Sequence, residues 1–246
     1  MNGCLPKSKS PSIPYARSLV SAATREDAVQ MELRLLPLRC LVVDSQTEDI
    51  HTVCAAGSAQ IGERIIGTVS VFSYPSLSLI ERTSAHCRNH FPYIPGFLAF
   101  HIGPAIVEAY GNLRTLPDIL LLPGHGIAHP TRFGLACHIG VALDIRCIGV
   151  ARNLLTGNME NTNQNTTEIA RITENGEQIG VALRTAPGRR PLFISPGHRT
   201  DMIQATEIVQ GTILPGQRYP EPLADAHRFA RKLMSDESTG VVSRRR

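Results

Sequence analysis

Two hydrophobic periods alternate along this chain, and their order predicts its architecture. Between positions 64 and 86 β-branched residues recur in rough alternation, broken at Tyr74-Pro75-Ser76, which is the pattern of a hairpin. Between 103 and 116 apolar residues fall at 106, 107, 110 and 113, a helical spacing, and Gly103-Pro104 marks the expected start of that helix. Ile119 to Leu122 is apolar at every position and closes on Pro123-Gly124, which predicts a strand buried on both faces. A helix near 131–143 and a second short apolar run, CIGVA (147–151), complete a βαβ unit.

The flanks extend this pattern. Residues 16–35 are rich in Ala, Leu, Arg and Glu and predict a helix, and CLVVD (40–44) predicts a buried strand ending in an acid. GRRPLFISPGHR (188–199) predicts a further strand and turn, and IQATEIVQGTI (203–213) another helix. TGNMENTNQNTTE (156–168) reads as a polar loop, and no internal repeat is visible. The expected fold class is therefore α/β, a mixed sheet flanked by helices in a single domain. Residues 1–15 read as a flexible tail, 16–232 as the folded unit, and 233–246 as a basic tail.

Composition narrows the setting. A chain of 246 residues can bury a substantial core, and 42% hydrophobic with 19% charged residues is ordinary for a globular protein. The net charge of +4 permits a nucleic-acid partner without demanding one, since part of it sits in the tails at Lys7, Lys9 and Arg244 to Arg246. Six cysteines with no CxxC pair read as reduced thiols, which points to the cytoplasm. No run approaches the ~18 apolar residues of a membrane span, and a monomer is expected. The first 25 residues lack acids, faintly like a transit peptide, but show no clear apolar face.

Several blocks then resemble one family. FPYIPGFLAF (91–100), PDILLLPGHGIAHPTRFGLACHIGVALD (117–144), CIGVAR (147–152), LFISPGHR (192–199) and YPEPLADA (219–226) are similar in order and spacing to endonuclease V. The similarity reaches upstream through YPSLSLIE (74–81) to LVVD (41–44), weakly to SLVSAATRED (18–27), and covers roughly residues 16–230. It implies an RNase H-like sheet and recognition of deoxyinosine in DNA or inosine in RNA. It also implies phosphodiester hydrolysis one nucleotide 3′ of the lesion, with Mg²⁺ or Mn²⁺ held by carboxylates, because hard cations demand oxygen ligands.

Carried over by residue, the resemblance is uneven. It sets the family's first catalytic aspartate, a metal ligand, on Asp44 and a late histidine of the site on His198. It sets a glutamate position on Ile102 and an aspartate position on Pro123, neither of which can bind a cation. With so few ligands left, Mg²⁺ or Mn²⁺ binding is doubtful and hydrolysis is expected to be lost or strongly impaired. Glu48, Asp49, Glu108 and Asp118 are poor substitutes; Asp201 is the best spare acid. The binding side is fuller. Tyr93, Ile94 and Pro95 match a wedge that fills the gap left by a displaced base. Gly96, Leu98, Gly124 and Leu135 fall on the hypoxanthine pocket, with His129 beside it, and Arg152 takes the place of a lysine.

Some motifs have plainer readings. His125 and His129 make an HxxxH spacing, but Gly126 and Pro130 put them in a loop, which argues against zinc. His86, Cys87 and His90 make a possible cluster, but the histidines read as exposed residues near a strand end. Arg132, Arg152 and Arg199 could track a phosphate backbone or be solvated surface charge. Three functions stay open: a nucleic-acid-binding pseudoenzyme, an active metal-dependent endonuclease, and a scaffold with an apolar cleft.

Overall fold

A computed structural model describes residues 11–40, 50–88, 91–160 and 168–238. A nine-stranded mixed sheet is sandwiched between helices on both faces. Its strands are β1 Thr52–Ile61, β2 Arg64–Ser73, β3 Leu79–Arg88, β4 Ile119–Leu122, β5 Cys147–Ala151, β6 Asn158–Met159, β7 Glu168–Glu174, β8 Glu177–Arg184 and β9 Leu192–Pro196. The spatial order is β3-β2-β1-β4-β5-β9-β8-β7-β6. β1, β4 and β5 run parallel, and the remaining pairs are antiparallel.

The helices are α1 Ile13–Leu19, α2 Arg25–Leu35, α3 Leu98–Gly111, α4 Leu135–Leu143, α5 Met202–Gly211 and α6 Glu221–Ser238. Cys54, Ala56, Leu120 and Leu122 face one core with residues of α1, α3 and α4. Val53, Ala55, Ile119 and Leu121 face the other with α5 and Leu223 of α6. The period of two along β1 and β4 thus feeds two separate cores. The continuous apolar run of β4 is explained by burial on both sides.

Several boundaries differ from expectation. The helix expected at 16–35 is two helices, because Thr24 forms a capping box with Asp27 and starts α2 afresh. α1 begins at Ile13, inside the expected tail, and α6 runs through Ser238, past the expected boundary at 232. α3 starts at Leu98, and Pro104 lies within it. Ala99 to Val107 are all buried, so packing holds the turn before the proline although one backbone hydrogen bond is missing. The strand expected at 40–44 lies outside the described residues except Cys40, and β1 supplies the sheet partner of β4 instead.

Candidate functional site

The parallel strands β1, β4 and β5 point their carboxyl ends toward one cleft, the place where open α/β sheets bind ligands. A cavity of about 480 Å³ opens there. Ala56, Gly57 and Ser58 of β1 form one wall, and Pro123, Gly124, His125 and His129 after β4 form another. Pro95, Gly96, Leu98 and Ile102 close one side, and Leu135 begins α4 at the floor. Val150 to Leu155, then Tyr219, Leu223 and His227, complete the lining.

The loop after β4 is built from close backbone contacts. Gly126 N–H donates to Ser195 Oγ at 2.8 Å, and Ile127 N–H to the Pro196 carbonyl at 2.9 Å. A Cβ on Gly126 would stand 1.9 Å from the Pro196 oxygen, so only glycine fits. His125 Nε2 lies 3.0 Å from the Asn153 carbonyl, which ties the loop to the segment following β5. Burial lowers the pKa of His125, and lowers that of His129 to about 4, so His129 is neutral near pH 7.

Most expected binding residues meet at this cavity: Tyr93, Pro95, Gly96, Leu98, Gly124, His129, Leu135 and Arg152 all line it. Tyr93 stands 65% exposed beside it, with its ring edge-on to His101 at 5.9 Å. Ile94 turns instead into a small core with Phe91 and Phe100. Gly96 has φ +92°, a conformation that L side chains rarely adopt.

The expected catalytic set is not brought together. Asp44 lies outside the described residues. The strand position beside Pro123 is Gly57: the β1–β4 register pairs Ala55 with Leu121, and two steps on this reaches Gly57 and Pro123. A Cβ on Gly57 would lie 2.5 Å from the Ala226 backbone, so α6 closes over the place an acid would need. His198 is not in the cleft. It sits at the start of β5, with Cys40 N–H donating to its Nδ1 at 3.2 Å and Asp144 Oδ1 3.4 Å from its Nε2. Its carbonyl accepts from Cys147 N–H, about 10 Å down the strand from Val150 at ~3.3 Å per residue. Burial lowers the His198 pKa despite Asp144.

Glu48 and Asp49 lie outside the described residues, and the other spare acids are occupied. Asp201 caps α5 by accepting from Gln204 N–H at 2.8 Å, and Glu108 pairs with Arg17 at 2.6 Å. Asp118 lies at the far end of β4, accepting from His51 and Thr52. Among the described residues the cleft lining contains no Asp or Glu, and no three His, Cys, Asp or Glu side chains cluster to hold a metal. A hard cation such as Mg²⁺ or Mn²⁺ does not fit this donor set of imidazoles and hydroxyls beside a guanidinium.

Two features were missed in the sequence. His227 lines the cleft from α6, its pKa lowered by burial and then by Arg152 and Arg231. Its signal was present: Leu223, Ala226, Ala230 and Met234 are buried at helical spacing, which puts His227 one place beyond a core residue. The second is a cluster of arginines at the rim. Arg152 lies over the Tyr219 ring at 4.6 Å. The Arg218 pKa is lowered by burial, then by Arg152, Arg190 and Arg189. The other two expected cations are neutralised, Arg132 by Glu174 and Glu177, and Arg199 by Asp144.

The family model of endonuclease V matches residues 40–228 of this chain. Endonuclease V of Dictyoglomus turgidum is 33% identical over 215 residues, covering 87% of this chain and 93% of that protein. The crystal structure of endonuclease V from Streptomyces avermitilis superposes with a TM-score of 0.80 at 29% identity, covering 88% of this chain and 96% of the other. Endonuclease V of Ciona intestinalis, in complex with a 24mer DNA containing an inosine followed by a ribo-adenosine, shares the fold with a TM-score of 0.73 at 24% identity, covering 85% and 97%.

Proposed function

This chain belongs to the endonuclease V family, and from that premise we propose that it binds nucleic acid at inosine or deoxyinosine but does not cut it efficiently. One observation carries the reading. The cleft is lined by Tyr93, Gly96, Gly124 and His129, residues suited to a base, and among the described residues its lining holds no carboxylate. Two-metal or one-metal hydrolysis needs oxygen ligands to align the water and to stabilise the leaving oxygen. Gly57, Ile102 and Pro123 offer none.

Recognition has better support. The Ciona relative is seen with inosine-containing DNA, and the residues of this chain at the corresponding kind of cleft are those suited to a base. Tyr93 is exposed at the rim, where an aromatic ring can replace a displaced base in the stack. Gly96 and Gly124 let backbone groups approach a base edge. Arg152, Arg189, Arg190 and Arg218 give the rim its positive charge, suited to phosphates.

A single-inosine oligonucleotide, in DNA and RNA forms, tests this with Mg²⁺ or Mn²⁺ present. We expect retention of the inosine strand over its inosine-free twin, with no nicking above background. Nicking by the unaltered protein overturns the loss of hydrolysis. Equal retention of both strands overturns inosine recognition.

A further inference from the structure

A buried acid sits behind the cleft in a position that hydrolysis does not use. Glu32 of α2 is only 5% exposed, and its carboxylate accepts from Thr131 Oγ1 at 3.4 Å. The same hydroxyl lies 2.8 Å from His129 Nδ1. His129 is 4% exposed and lines the cavity. Its Nε2 is buried against Gly96, where a Cβ would stand 3.6 Å away, and no bond of full hydrogen-bonding geometry forms there. Burial lowers the His129 pKa, but the Gly96 backbone raises it and so favours a proton on this side of the ring, against which an ionised Glu32 must work. Glu32, Thr131 and His129 thus form a chain that ends on a ring nitrogen at the base site.

We propose that Glu32, acting through Thr131, sets which nitrogen of His129 carries the proton, and so whether the pocket presents a donor or an acceptor to a purine; this rests on the base-site reading above. A hydroxyl has one proton to give, so the two bonds of Thr131 cannot both run the same way. With Glu32 ionised, Thr131 donates to the carboxylate and accepts from His129 Nδ1–H, leaving a lone pair on Nε2. With Glu32 protonated, its O–H donates to Thr131, and Thr131 donates to Nδ1. The imidazole proton then sits on Nε2. Net uptake is one proton from solvent, and the ring stays neutral throughout. The Thr131 N–H, 3.3 Å from Nδ1, also favours the second arrangement.

The electrostatic surroundings keep the switch near neutrality. Burial raises the Glu32 pKa to about 7, opposed by the Thr131 hydrogen bond. Among the described residues no cation forms an ion pair with Glu32. From α4, Cys137 faces both Glu32 and Arg39, and its pKa is raised to about 12 by burial, so it stays neutral. Arg39 donates to the Arg132 carbonyl, and Arg132 is held by Glu174 and Glu177. His129 itself stays uncharged above about pH 4, where burial has moved it. His138, the next imidazole along α4, is likewise lowered to about 4 by burial. Glu32 is therefore the group in this set that titrates near pH 7.

The chemical consequence concerns oxopurines. Hypoxanthine offers acceptors at O6 and N7, and adenine offers an amino donor at the position of O6. A donor on Nε2 favours the first and an acceptor favours the second. Glu32 is a positioning residue in this scheme, with no contact of its own to the base.

The test reads the ring directly. Long-range ¹H–¹⁵N correlation of ¹⁵N-histidine-labelled full-length protein identifies the His129 tautomer between pH 5.5 and 8.5, without any nucleic acid. We expect the Nε2–H form below pH 7 and the Nδ1–H form above it. Glu32→Gln, which removes the titrating group, should hold one tautomer at every pH, and Thr131→Val should abolish the dependence. Affinity for an inosine strand should fall about tenfold as pH rises through 7, the size of one lost buried hydrogen bond, and should stay flat in Glu32→Gln. A single tautomer across the range, or a Glu32→Gln profile that follows the unaltered protein, overturns the relay. A tautomer that switches while inosine binding is absent upholds the relay and overturns the base-site reading alone.

Discussion

The two ends of β4, at Asp118 and Pro123, differ in almost everything but their burial. At the entry end Asp118 accepts hydrogen bonds from His51 N–H, Thr52 N–H and Thr52 Oγ1 at 2.8–3.0 Å, and it anchors the start of β1. At the exit end stands Pro123, beside Gly57 on β1 and facing a cavity whose lining, among the described residues, has no carboxylate. The same contrast recurs across the sheet. Asp144 and Arg199 pair at 2.9 Å beside His198 at the start of β5, while the end of β5 offers Arg152 to the cleft. At the entry ends the acids accept from backbone N–H groups or pair with a cation, whereas the described lining of the cleft holds none.

The largest effect should come from reversing that asymmetry. Ile102→Glu with Pro123→Asp puts two carboxylates at positions that line the cleft. Mn²⁺ affinity, read by calorimetry, should rise by more than the ~10–100-fold attached to outer-shell ligand changes. Gly57→Asp should not add to this. Its Cβ would meet the Ala226 backbone at 2.5 Å, so α6 must move, at a stability cost of about 1–3 kcal/mol or more. If Gly57→Asp is neutral in chemical denaturation, the closure of α6 over this position is wrong.

Much of this contrast could be read from sequence, and the part that could not has a physical cause. β4, β5, the β2–β3 hairpin and α5 announced themselves through unbroken apolar runs or a clear period. Ile102 and Pro123, singled out because they sit inside long matched blocks, both line the cleft. Gly57 was not legible. β1 is built of small residues, TVCAAGSAQI, which carry weak strand signals, and the neighbouring CLVVD run offered a stronger strand ending in an acid. His198 was misplaced for a related reason: a histidine after a strand resembles a site residue, and only the antiparallel pairing of β9 with β5 sends it to the wrong end of the sheet. The β7–β8 hairpin was missed although Asn175-Gly176, at φ +52° and +81°, is a strong turn signal. His227 was hidden because the charged sequence of α6 resembles a tail more than a packed helix.

The next effect is smaller and belongs to the entry end. Asp118→Ala removes an acceptor from three donors, two of them backbone N–H groups. At about 1.5–3 kcal/mol for a hydrogen bond to a charged group, partly recovered by water at this half-exposed site, a loss near ~2 kcal/mol is expected. It should appear as a lower denaturation midpoint with an unchanged slope. Retention of an inosine strand should not change once the protein is folded. A loss of retention without a loss of stability would mean that the entry end contributes to binding, and the division between the two ends would fail.

The smallest effect distinguishes the arginines of the two ends. Arg218 lies at the cleft rim, donating to the carbonyls of Arg190 and Pro191, and shares its surroundings with Arg152, Arg189 and Arg190. Burial and then that crowding lower its pKa, and the crowding is repulsive in the free protein, so phosphates laid across the rim would relieve it. Arg199 lies at the start of β5 with Asp144 already on its guanidinium. Each phosphate neutralised releases counterions, which sets the slope of log affinity against log salt. Arg189→Ala leaves the carbonyl contacts of Arg218 in place and removes one rim charge, so it should lower that slope by about 1. Arg199→Ala should leave the slope unchanged, because its charge is matched within the fold. Equal slopes for Arg189→Ala and the unaltered protein would move the phosphate track off this rim. A lowered slope for Arg199→Ala would extend it to the far end of the sheet.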